Sequence, residues 1–463
     1  MLVASGLILA VLFLVFGLDD LLIDLIALRY RLRPRQIKAW EWQRILLKKE
    51  RCLALVIPAW MEGEIIETMI RGNLSRIQYA NYHIFVGIYP NDLLSLEKLE
   101  ILSRRYPNVH AVISSKPGPT SKGQILNEVF RQAIKREQDL GVRFEGFLMQ
   151  DAEDAIHPMS LKLVNDRLNR SEYVQIPVFS LPLGARQLVA GTYIDEFSEV
   201  HTKDLLVRAF LRAGVPSAGV GTALSRRLVM DLQILQAGDV LNERSLTEDY
   251  ELGLKTSLLG YRQEFACRYY EHDGVREYIA TREYFPKSLM RTIRQKTRWN
   301  LGIILQGWAN LGWFGGFWQR YFLFRDRKGL VAHPLAMLGY AWTAFFLLSG
   351  LHGPSIPGAL RAALALNLLF AVNRLVQKLV CVSRVYPPRT LLAYPLRWPL
   401  SNLINAAALA RAVAQEIRAR VTTRTHTWSK TEHEVPEILT HVFEPVIPGL
   451  PLAKSDAELK EAN

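Results

Sequence analysis

The stretch FLMQDAED (residues 147–154) joins a short apolar run to three carboxylates, and it decides the fold class. Residues Phe147–Gln150 have the length and apolarity of a strand that is buried on both faces, which is typical of parallel sheets covered by helices. In such sheets, ligands bind at the carboxyl ends of the strands. Asp151, Glu153 and Asp154 are therefore predicted at a ligand-binding edge.

Four further β-rich runs alternate with helical patterns around this stretch. They are Cys52–Ile57, His83–Ile88, Val109–Ile113 and Tyr173–Val178, with helical patterns at Ile65–Arg71 and Gly123–Glu137. Strands that alternate with crossover helices indicate an α/β domain with a parallel sheet. The polar residues that directly follow its strands form the candidate site.

The acidic cluster at residues 151–154 predicts a cation site. Carboxylates so close together raise one another's pKa unless a cation is present. Oxygen ligands of this kind suit Mg²⁺ or Mn²⁺. The alternative is an acidic loop that caps a helix beginning near Pro158.

Two other strand ends carry an acid, and a third segment carries a lysine. Glu62 follows the first strand and Asp92 follows the second, where the alternatives are a first-turn Glu and an ordinary turn. Lys122 lies at the start of a predicted helix in TSKGQILN (residues 120–127), a position that can bind an anionic group. The alternative is a solvated Lys near a helix start. The full Walker pattern is missing, so a nucleoside-triphosphate hydrolase is not supported.

Two later motifs complete the candidate set. In SLTEDY (residues 245–250), the structural alternative is a capping box formed by Ser245 and Glu248. It accounts well for the presence of Glu248 and less well for that of Asp249. In QKTRW (residues 295–299), a helix places positions 295, 298 and 299 on one face. An Arg there can bind a diphosphate and a Trp can support a sugar ring. The alternative is a basic helix that faces anionic lipid.

Composition indicates a soluble domain that is joined to apolar segments. Of 463 residues, 49% are hydrophobic and 22% are charged, with a formal net charge of +13. The basic residues concentrate beside apolar segments and no nucleic-acid motif is visible, so no nucleic-acid partner is expected. The three cysteines lie far apart, which excludes a zinc spacing and makes a disulfide framework unexpected.

Three apolar segments have the length of membrane spans. The first, in residues 1–30, contains Asp19, Asp20 and Asp24 and precedes a basic run that ends at Lys38. The others are Leu330–Leu351 and Pro357–Val382, joined by a loop without basic residues. The positive-inside rule predicts an outer N-terminus, a cytoplasmic central domain and an inner C-terminus. Leu391–Ile417 contains arginines and is interpreted as an interfacial or re-entrant helix.

The order of these motifs resembles that of family-2 glycosyltransferases over about residues 53–299. The resemblance is to the processive, membrane-embedded branch that includes cellulose and hyaluronan synthases. Within it, the chain is similar to the bacterial phage-adsorption protein B group, through Asp19-Asp20, residues 151–154 and GTYIDEF (residues 191–197). The resemblance implies a GT-A, Rossmann-like catalytic domain with membrane helices at both ends. The chain is expected to end too early for the added C-terminal domain that some members have.

The resemblance also implies roles for the candidate residues. Pro58, Ala59, Glu62, Asp92, Lys122 and Asp151 would bind the nucleotide-sugar. Asp151 and Glu153 would hold Mg²⁺ or Mn²⁺, with Asp154 as a substitute ligand. Asp249 would be the catalytic base beside Glu248, and Gln295, Arg298 and Trp299 would line the acceptor end. Residues 221–227 would form an acceptor-side loop and residues 428–433 a gating segment. The chain departs from the family in carrying Met61 before the first acid and Glu153 as the second metal-site acid.

The expected activity is that of an inverting hexosyl- or N-acetylhexosaminyltransferase that uses a nucleotide-sugar, with UDP-sugars the commonest donors of the family. It would extend a polysaccharide at the bacterial inner membrane for exopolysaccharide synthesis, with an export partner or an oligomer completing the passage. The alternatives are a non-processive transferase acting on a lipid carrier and a non-catalytic scaffold or receptor. The expected divisions are an anchor (1–30), a catalytic domain (45–300), interfacial helices (301–329), two spans (330–383), an interfacial or further membrane helix (390–418) and a cytoplasmic segment with the gating motif (419–463).

Overall fold

The computed structural model describes residues 2–184, 186–272, 274–349 and 356–422, together with Pro436 and Leu439. The loop predicted between the last two spans falls largely outside these residues, and the predicted gating segment at 428–433 falls wholly outside them. The described strands are β1 Arg35–Gln36, β2 Leu53–Pro58, β3 Tyr82–Ile88, β4 Val109–Ile113, β5 Gly146–Met149, β6 Tyr173–Gln175, β7 Val178–Ser180, β8 Thr222–Ser225, β9 Gln263–Phe265, β10 Arg268–His272, β11 Val275–Tyr278 and β12 Thr281–Glu283.

The described helices surround these strands. The α-helices are α1 Leu2–Arg29, α2 Ala39–Leu47, α3 Ile66–Arg76, α4 Leu93–Arg105, α5 Lys122–Lys135, α6 Glu137–Leu140, α7 Ser160–Arg167, α8 Leu188–Glu199, α9 Leu205–Phe210, α10 Arg226–Leu235, α11 Glu248–Leu258, α12 Leu289–Trp299, α13 Gly307–Leu311, α14 Phe317–Arg327, α15 Gly329–Leu348, α16 Gly358–Val385 and α17 Tyr394–Thr422. Two π-helical segments, Val200–Asp204 and Asn300–Gln306, and a 3₁₀ turn, Pro388–Ala393, lie between them.

A seven-stranded sheet in the order β4-β3-β2-β5-β8-β6-β9 forms the centre of the fold. β2 alternates its side chains between the faces, so that Leu53, Leu55 and Ile57 enter one core and Ala54 and Val56 enter the other. Helices α3, α4 and α7 cover the first face, and α5 and α10 cover the second. The predicted α/β class with helices on both faces is therefore confirmed.

The prediction of a wholly parallel sheet is wrong. β8 runs antiparallel to both β5 and β6. Residues 221–227, expected to form a loop, instead supply this central strand and the first residues of α10. The run Tyr173–Val178 is likewise two strands, β6 and β7, in different sheets. Pro177 lies between them, and its nitrogen has no hydrogen to donate to a continuous ladder.

Among the described residues, three helices are long and apolar enough to cross a membrane. They are residues Val3–Arg29 of α1, and the whole of α15 and α16. α17 covers most of the segment Leu391–Ile417 that was predicted as an interfacial or re-entrant helix, and it is not among these three helices. It packs against α8, α12 and α15. Its Arg397 is buried and donates two hydrogen bonds to the Asp195 carboxylate on α8, at 2.7 and 2.8 Å.

The acids in α1 are paired with cations from later elements. Asp19 accepts from Arg325 at 2.7 Å, Asp20 from Arg374 at 2.7 Å, and Asp24 from Lys203 at 2.6 Å. A charge in a membrane-spanning helix is costly unless it faces a partner. These pairs therefore explain why a span can contain three aspartates, and they join α1 to the rest of the fold.

Lys203→Met is expected to lower the free energy of unfolding by about 3–5 kcal/mol, because it leaves the buried Asp24 carboxylate without its cation. The Lys203 ammonium also donates to Glu199 at 2.9 Å. Thermal unfolding of the detergent-solubilised chain measures the effect. Lys98→Met is the matched control, because the Lys98–Glu67 pair is solvent-exposed. Equal losses in the two variants would contradict the buried network.

Candidate active site

A cavity of about 400 Å³ lies at the carboxyl ends of β2 and β5. Eleven of the thirteen predicted site residues line it: Pro58, Ala59, Glu62, Lys122, Asp151, Glu153, Glu248, Asp249, Gln295, Arg298 and Trp299. They come from the ends of two strands and from α5, α11 and α12. The topology therefore brings residues separated by more than two hundred positions to one cavity.

Lys122 and Asp151 form an ion pair in this cavity. The Lys122 Nζ lies 2.5 Å from Asp151 Oδ1 and 2.8 Å from Oδ2. Ser121 fixes the start of α5 by accepting a hydrogen bond from the Gln124 N–H. Burial disfavours the charged ammonium, but Asp151, Glu248 and Asp249 outweigh it and raise the pKa of Lys122. A permanent positive charge therefore lies among these acids.

Asp154 lies behind the cavity. Its side chain is fully buried, and its Oδ2 accepts the Asp151 N–H at 2.7 Å. Burial, followed by the charges of Glu283, Asp151 and Glu153, raises the pKa of Asp154 well above its ordinary value. This carboxyl shapes the turn that presents Asp151, whereas Asp151 and Glu153 face the cavity.

Asp92 also lies outside the cavity. It is the N-cap residue of α4, and it accepts hydrogen bonds from the backbone N–H groups of Ser95 at 3.3 Å and Met61 at 2.6 Å. Met61 has φ +56°, a conformation that is costly for a residue with a side chain. Asp92 therefore supports the bend that carries Glu62 into the cavity.

Glu248 and Asp249 are the first residues of α11, and both line the cavity. The predicted capping box is wrong, because the N-cap residue is Thr247 and the Ser245 hydroxyl accepts from the Thr247 N–H. Burial and the adjacent Asp249 raise the pKa of Glu248 to about 7, and burial also raises the pKa of Asp249. Both groups therefore titrate closer to neutrality than ordinary carboxyls.

Gly219 lets the backbone pass close to Asp249. Its φ is +81°, and a Cβ there would lie 2.7 Å from Asp249 Oδ2 and 3.5 Å from Lys122 Nζ. No larger residue fits without displacing the Asp249 carboxylate. The same geometry shows that the Asp249 carboxylate and the Lys122 ammonium both lie beside Gly219, so the two predicted halves of the site meet there.

An aromatic cluster supports Gln295 and Trp299 on α12. The Tyr193 hydroxyl donates to Gln295 Oε1 at 2.6 Å. The Tyr193 ring stacks on Phe285 with centroids 4.5 Å apart and meets the Trp299 ring edge-on at 5.9 Å. Because the Gln295 carbonyl accepts from Tyr193, its NH₂ group is oriented as the remaining donor of the amide.

Tyr193→Phe is expected to lower turnover about tenfold, because it leaves the buried Gln295 carbonyl without its donor. Nucleotide affinity should stay within about twofold, since the nucleotide-binding residues are untouched. Steady-state kinetics with titrated acceptor, together with calorimetry of nucleotide binding, separates the two effects. Tyr261→Phe, which removes a hydroxyl that donates to Asp231 outside the cavity, is the control. Unchanged turnover in Tyr193→Phe would contradict the positioning role.

The cavity carries a large excess of negative charge. Its wall contains eight carboxylates (Glu62, Asp151, Glu153, Glu196, Glu248, Asp249, Glu283 and Asp326) but only two cationic side chains, Lys122 and Arg298. Burial lowers the pKa of the wall residue His201 to about 3, so its ring is neutral. Two of the acids have cations outside the cavity, Lys296 for Glu196 and Arg208 for Asp326. The six other acids line the same wall as Lys122 and Arg298.

The carboxylate set fits a hard divalent cation, which prefers oxygen ligands. Within the described ranges, however, no group of three or more His, Cys, Asp or Glu side chains is arranged as a complete metal site. Asp151 and Glu153 are the residues that would hold such an ion, and the bound substrate would supply further oxygen ligands.

Several wall residues were not predicted as site residues. Glu283 is the last residue of β12, Phe285 lies two residues beyond it, and His201 lies in the first π-helical segment. Glu196 and Phe197 were noted only within the segment that resembles the phage-adsorption group. No local motif marks these positions, because tertiary packing alone brings them to the cavity.

The chain is similar to proteins of one enzyme family. The model of "Glycosyltransferase like family 2" matches residues 50–302. Bacteriophage adsorption protein B of Escherichia coli K12 is 35% identical over 93% of the chain, as is bacteriophage N4 adsorption protein B of Escherichia coli O157:H7. The chain spans 62% of the length of these two relatives.

A solved structure shares the fold. The mannosyltransferase PcManGT of Pyrobaculum calidifontis, in complex with GDP-mannose and Mn²⁺, aligns with a TM-score of 0.52 and 14% identity over 90% of this chain and 100% of that chain. The fold is therefore GT-A-like, and the described part of the chain adds three helices that could span a membrane. Because the family model covers more than half of the residues, the chain belongs to glycosyltransferase family 2.

Proposed function

We propose that the chain is an inverting glycosyltransferase that moves a sugar from a nucleoside diphosphate-sugar to a growing polysaccharide at the cytoplasmic face of the bacterial inner membrane. The observation that supports this most is the juxtaposition in one cavity of the Lys122–Asp151 pair with the Asp249 carboxylate. Lys122 and Asp151 would bind the diphosphate of a donor. The Asp249 carboxylate would accept the proton of an acceptor hydroxyl.

The reaction needs one displacement. The acceptor hydroxyl attacks the anomeric carbon while its proton passes to the Asp249 carboxylate, and the bond from that carbon to the diphosphate oxygen breaks. The nucleoside diphosphate leaves with the electron pair, and Lys122 and Arg298 neutralise its growing charge. Asp151 and Glu153 would hold Mg²⁺ or Mn²⁺, and such an ion would supply further positive charge for the diphosphate. Attack from the face opposite the leaving group inverts the anomeric carbon.

The donor that we propose is a UDP-sugar that carries a hexose or an N-acetylhexosamine. The common use of UDP-sugars in the family supports this choice. The GDP-mannose and Mn²⁺ in the PcManGT structure support a nucleotide-sugar and a divalent ion more generally. Release of nucleoside diphosphate from a panel of UDP- and GDP-sugars distinguishes the donors.

Processive extension is proposed from the position of α12. Gln295, Arg298 and Trp299 line the cavity, and the chain then continues through the second π-helical segment towards α15, a candidate span. Three spans make a narrow passage, so an export partner or an oligomer is part of the proposal. Sizing the product tests it: long chains support processivity, whereas addition of a single sugar to a lipid carrier supports the non-processive alternative.

A receptor or scaffold without transfer is the second candidate function. Its support is the printed name of the two curated relatives, which are phage adsorption proteins. The acids and cations of the cavity oppose it, because a scaffold does not need Asp249 beside Lys122. Nucleotide binding without release of nucleoside diphosphate would favour the scaffold.

The pH dependence of transfer should reveal the Glu248–Asp249 pair. A base works only when it has lost its proton, so activity falls as the pH drops through its pKa. Burial raises the pKa of Asp249, which moves this acid limb towards neutrality. Glu248 and Asp249 titrate as an interacting pair, so Glu248→Gln removes the repulsion between them and should move the limb to lower pH. Profiles of kcat/KM between about pH 5 and pH 9 measure it.

Glu100→Gln, which changes an exposed carboxylate on α4, serves as the control for this shift. An acid limb at the same pH in Glu248→Gln and in the unchanged chain would contradict electrostatic interaction between the two carboxylates.

A further inference from the structure

A second cavity, of about 1060 Å³, lies between the end of α1, the small sheet β1-β10-β11 and the last turns of α16. Its wall contains eleven basic side chains and only two carboxylates, Glu41 and Glu264. The charge of this wall is opposite to that of the acidic active-site cavity. None of the residues in the proposed transfer reaction lies in it.

The two carboxylates are already used by buried arginines. Arg167, 3% exposed, contacts Glu41 and lies 3.4 Å from Glu264. Arg268, 9% exposed, lies 3.8 Å from Glu41 and 3.6 Å from Glu264. Burial, followed by the positive charge of Arg167, lowers the pKa of Arg268. Arg44 and Arg170 share these two acids and also pair with Asp166, and Arg276 pairs with Glu271, so five arginines of the wall already take up the neighbouring carboxylates.

Five basic side chains of the wall are exposed and form no ion pair with any described residue: Arg31, Arg33, Arg35, Lys38 and Arg262. Like charges grouped around a concave surface repel one another, and an anion in the cavity would remove that cost. Arginine binds phosphate oxygens by two parallel hydrogen bonds, so a phosphate group suits this wall. The Tyr278 hydroxyl at the wall is buried and has no hydrogen-bond partner in the described part of the chain.

The cavity lies where two candidate spans end. Arg31 and Arg33 follow the last residue of α1, and Val380, Ser383 and Arg384 belong to the final turns of α16. Basic side chains at this depth meet the headgroups of the bilayer, where anionic lipids attract them. The position therefore favours a phosphate that belongs to a lipid over one that diffuses in water.

We propose that this basic cavity is a binding site for a phosphate-bearing anion, occupied in the membrane by the headgroup of an anionic phospholipid. The inner Arg167–Arg268 pair forms the floor, and the five exposed cations close around the phosphate. The occupant would join β1 and β10 to the ends of α1 and α16. The inference is independent of the proposed transfer reaction.

The test uses the full chain in nanodiscs of phosphatidylcholine, with phosphatidylglycerol added in steps. The readouts are the thermal midpoint and the lipid retained in native mass spectra. The cavity variant is Arg33→Ser/Arg35→Ser/Arg262→Ser, which changes only exposed side chains. The control is Arg104→Ser/Arg105→Ser/Arg244→Ser, which removes the same charge from exposed positions outside the cavity. The single variant Arg262→Ser replaces the triple variant if the latter does not fold.

The unchanged chain and the control should retain phosphatidylglycerol at least about tenfold more tightly than the cavity variant, because each lost cation weakens lipid attraction. A second arm adds pyrophosphate to discs of phosphatidylcholine alone. A variant-dependent response to pyrophosphate but not to lipid would keep the phosphate site and assign it to a soluble anion. Identical responses of the cavity variant and the control to both ligands would overturn the proposal.

Discussion

Asp249→Asn is expected to lower sugar transfer by about 10²–10⁴-fold, the typical contribution of a general base. Asparagine keeps the shape of the side chain beside Gly219 but cannot accept the proton of the acceptor hydroxyl. Nucleotide affinity should stay within a few-fold, because Lys122 and Asp151 remain in place. Release of nucleoside diphosphate and product formation measure the first effect, and calorimetry measures the second.

Asp239→Asn is the matched control for this variant. Asp239 forms an ion pair with Arg131 away from the cavity, so its substitution should leave transfer unchanged. Full activity of Asp249→Asn beside a normal control would show that another group accepts the proton, with Glu248 the next candidate.

Asp151→Asn is expected to lower kcat/KM by about 10²–10³-fold, because it removes a charge at the diphosphate end of the cavity. Two effects combine. Lys122 loses the carboxylate that both of its short contacts reach, and the proposed divalent ion would lose one of its two proposed protein ligands. Transfer assayed across a Mn²⁺ titration should therefore need a higher Mn²⁺ concentration to reach its half-maximal rate. Donor binding, measured by calorimetry, should weaken as well.

The control for Asp151→Asn is Asp139→Asn, an exposed acid on α6 that is remote from the cavity wall. A variant that keeps the metal dependence and the donor affinity of the unchanged chain would contradict the assignment of Asp151. Loss of folding is checked by the thermal midpoint, which should match that of the control.

Much of the fold can be predicted from short apolar runs. β2, β3, β4 and β5 lie within one residue of their predicted positions at each end, because a strand buried on both faces needs an uninterrupted apolar sequence. β8 has no such sequence. It is four residues long and begins and ends with hydroxyl side chains, so its sequence resembles that of a loop. Only its pairing with β5 and β6 in the folded sheet makes it a strand.

The site, like the fold, could be predicted in part. Acids that follow strands were expected near the ligand-binding edge, but the sequence could not distinguish an acid that caps a helix from one that faces the cavity. Asp92 and Asp151 both follow a strand, yet Asp92 satisfies backbone N–H groups and Asp151 faces the cavity. A carboxylate suits either purpose, so only tertiary structure decides between a helix cap and a ligand.

The aspartates of α1 illustrate a further limit. In the sequence they weaken an apolar span, because an unpaired charge in a membrane is costly. Their partners Lys203, Arg325 and Arg374 are distant in sequence, so pairing across more than 170 positions could not be predicted. The structure thus explains charges that local composition could only treat as interruptions.

The most direct test of the account is release of nucleoside diphosphate by the full chain in nanodiscs. It is incubated with a panel of UDP- and GDP-sugars, with Mn²⁺, with Mg²⁺ and with a chelator, beside Asp249→Asn. We expect metal-dependent release from one donor, which falls with Asp249→Asn while nucleotide binding persists. Nucleotide binding without release from any donor in any metal, by the unchanged chain, would contradict sugar transfer and favour the receptor.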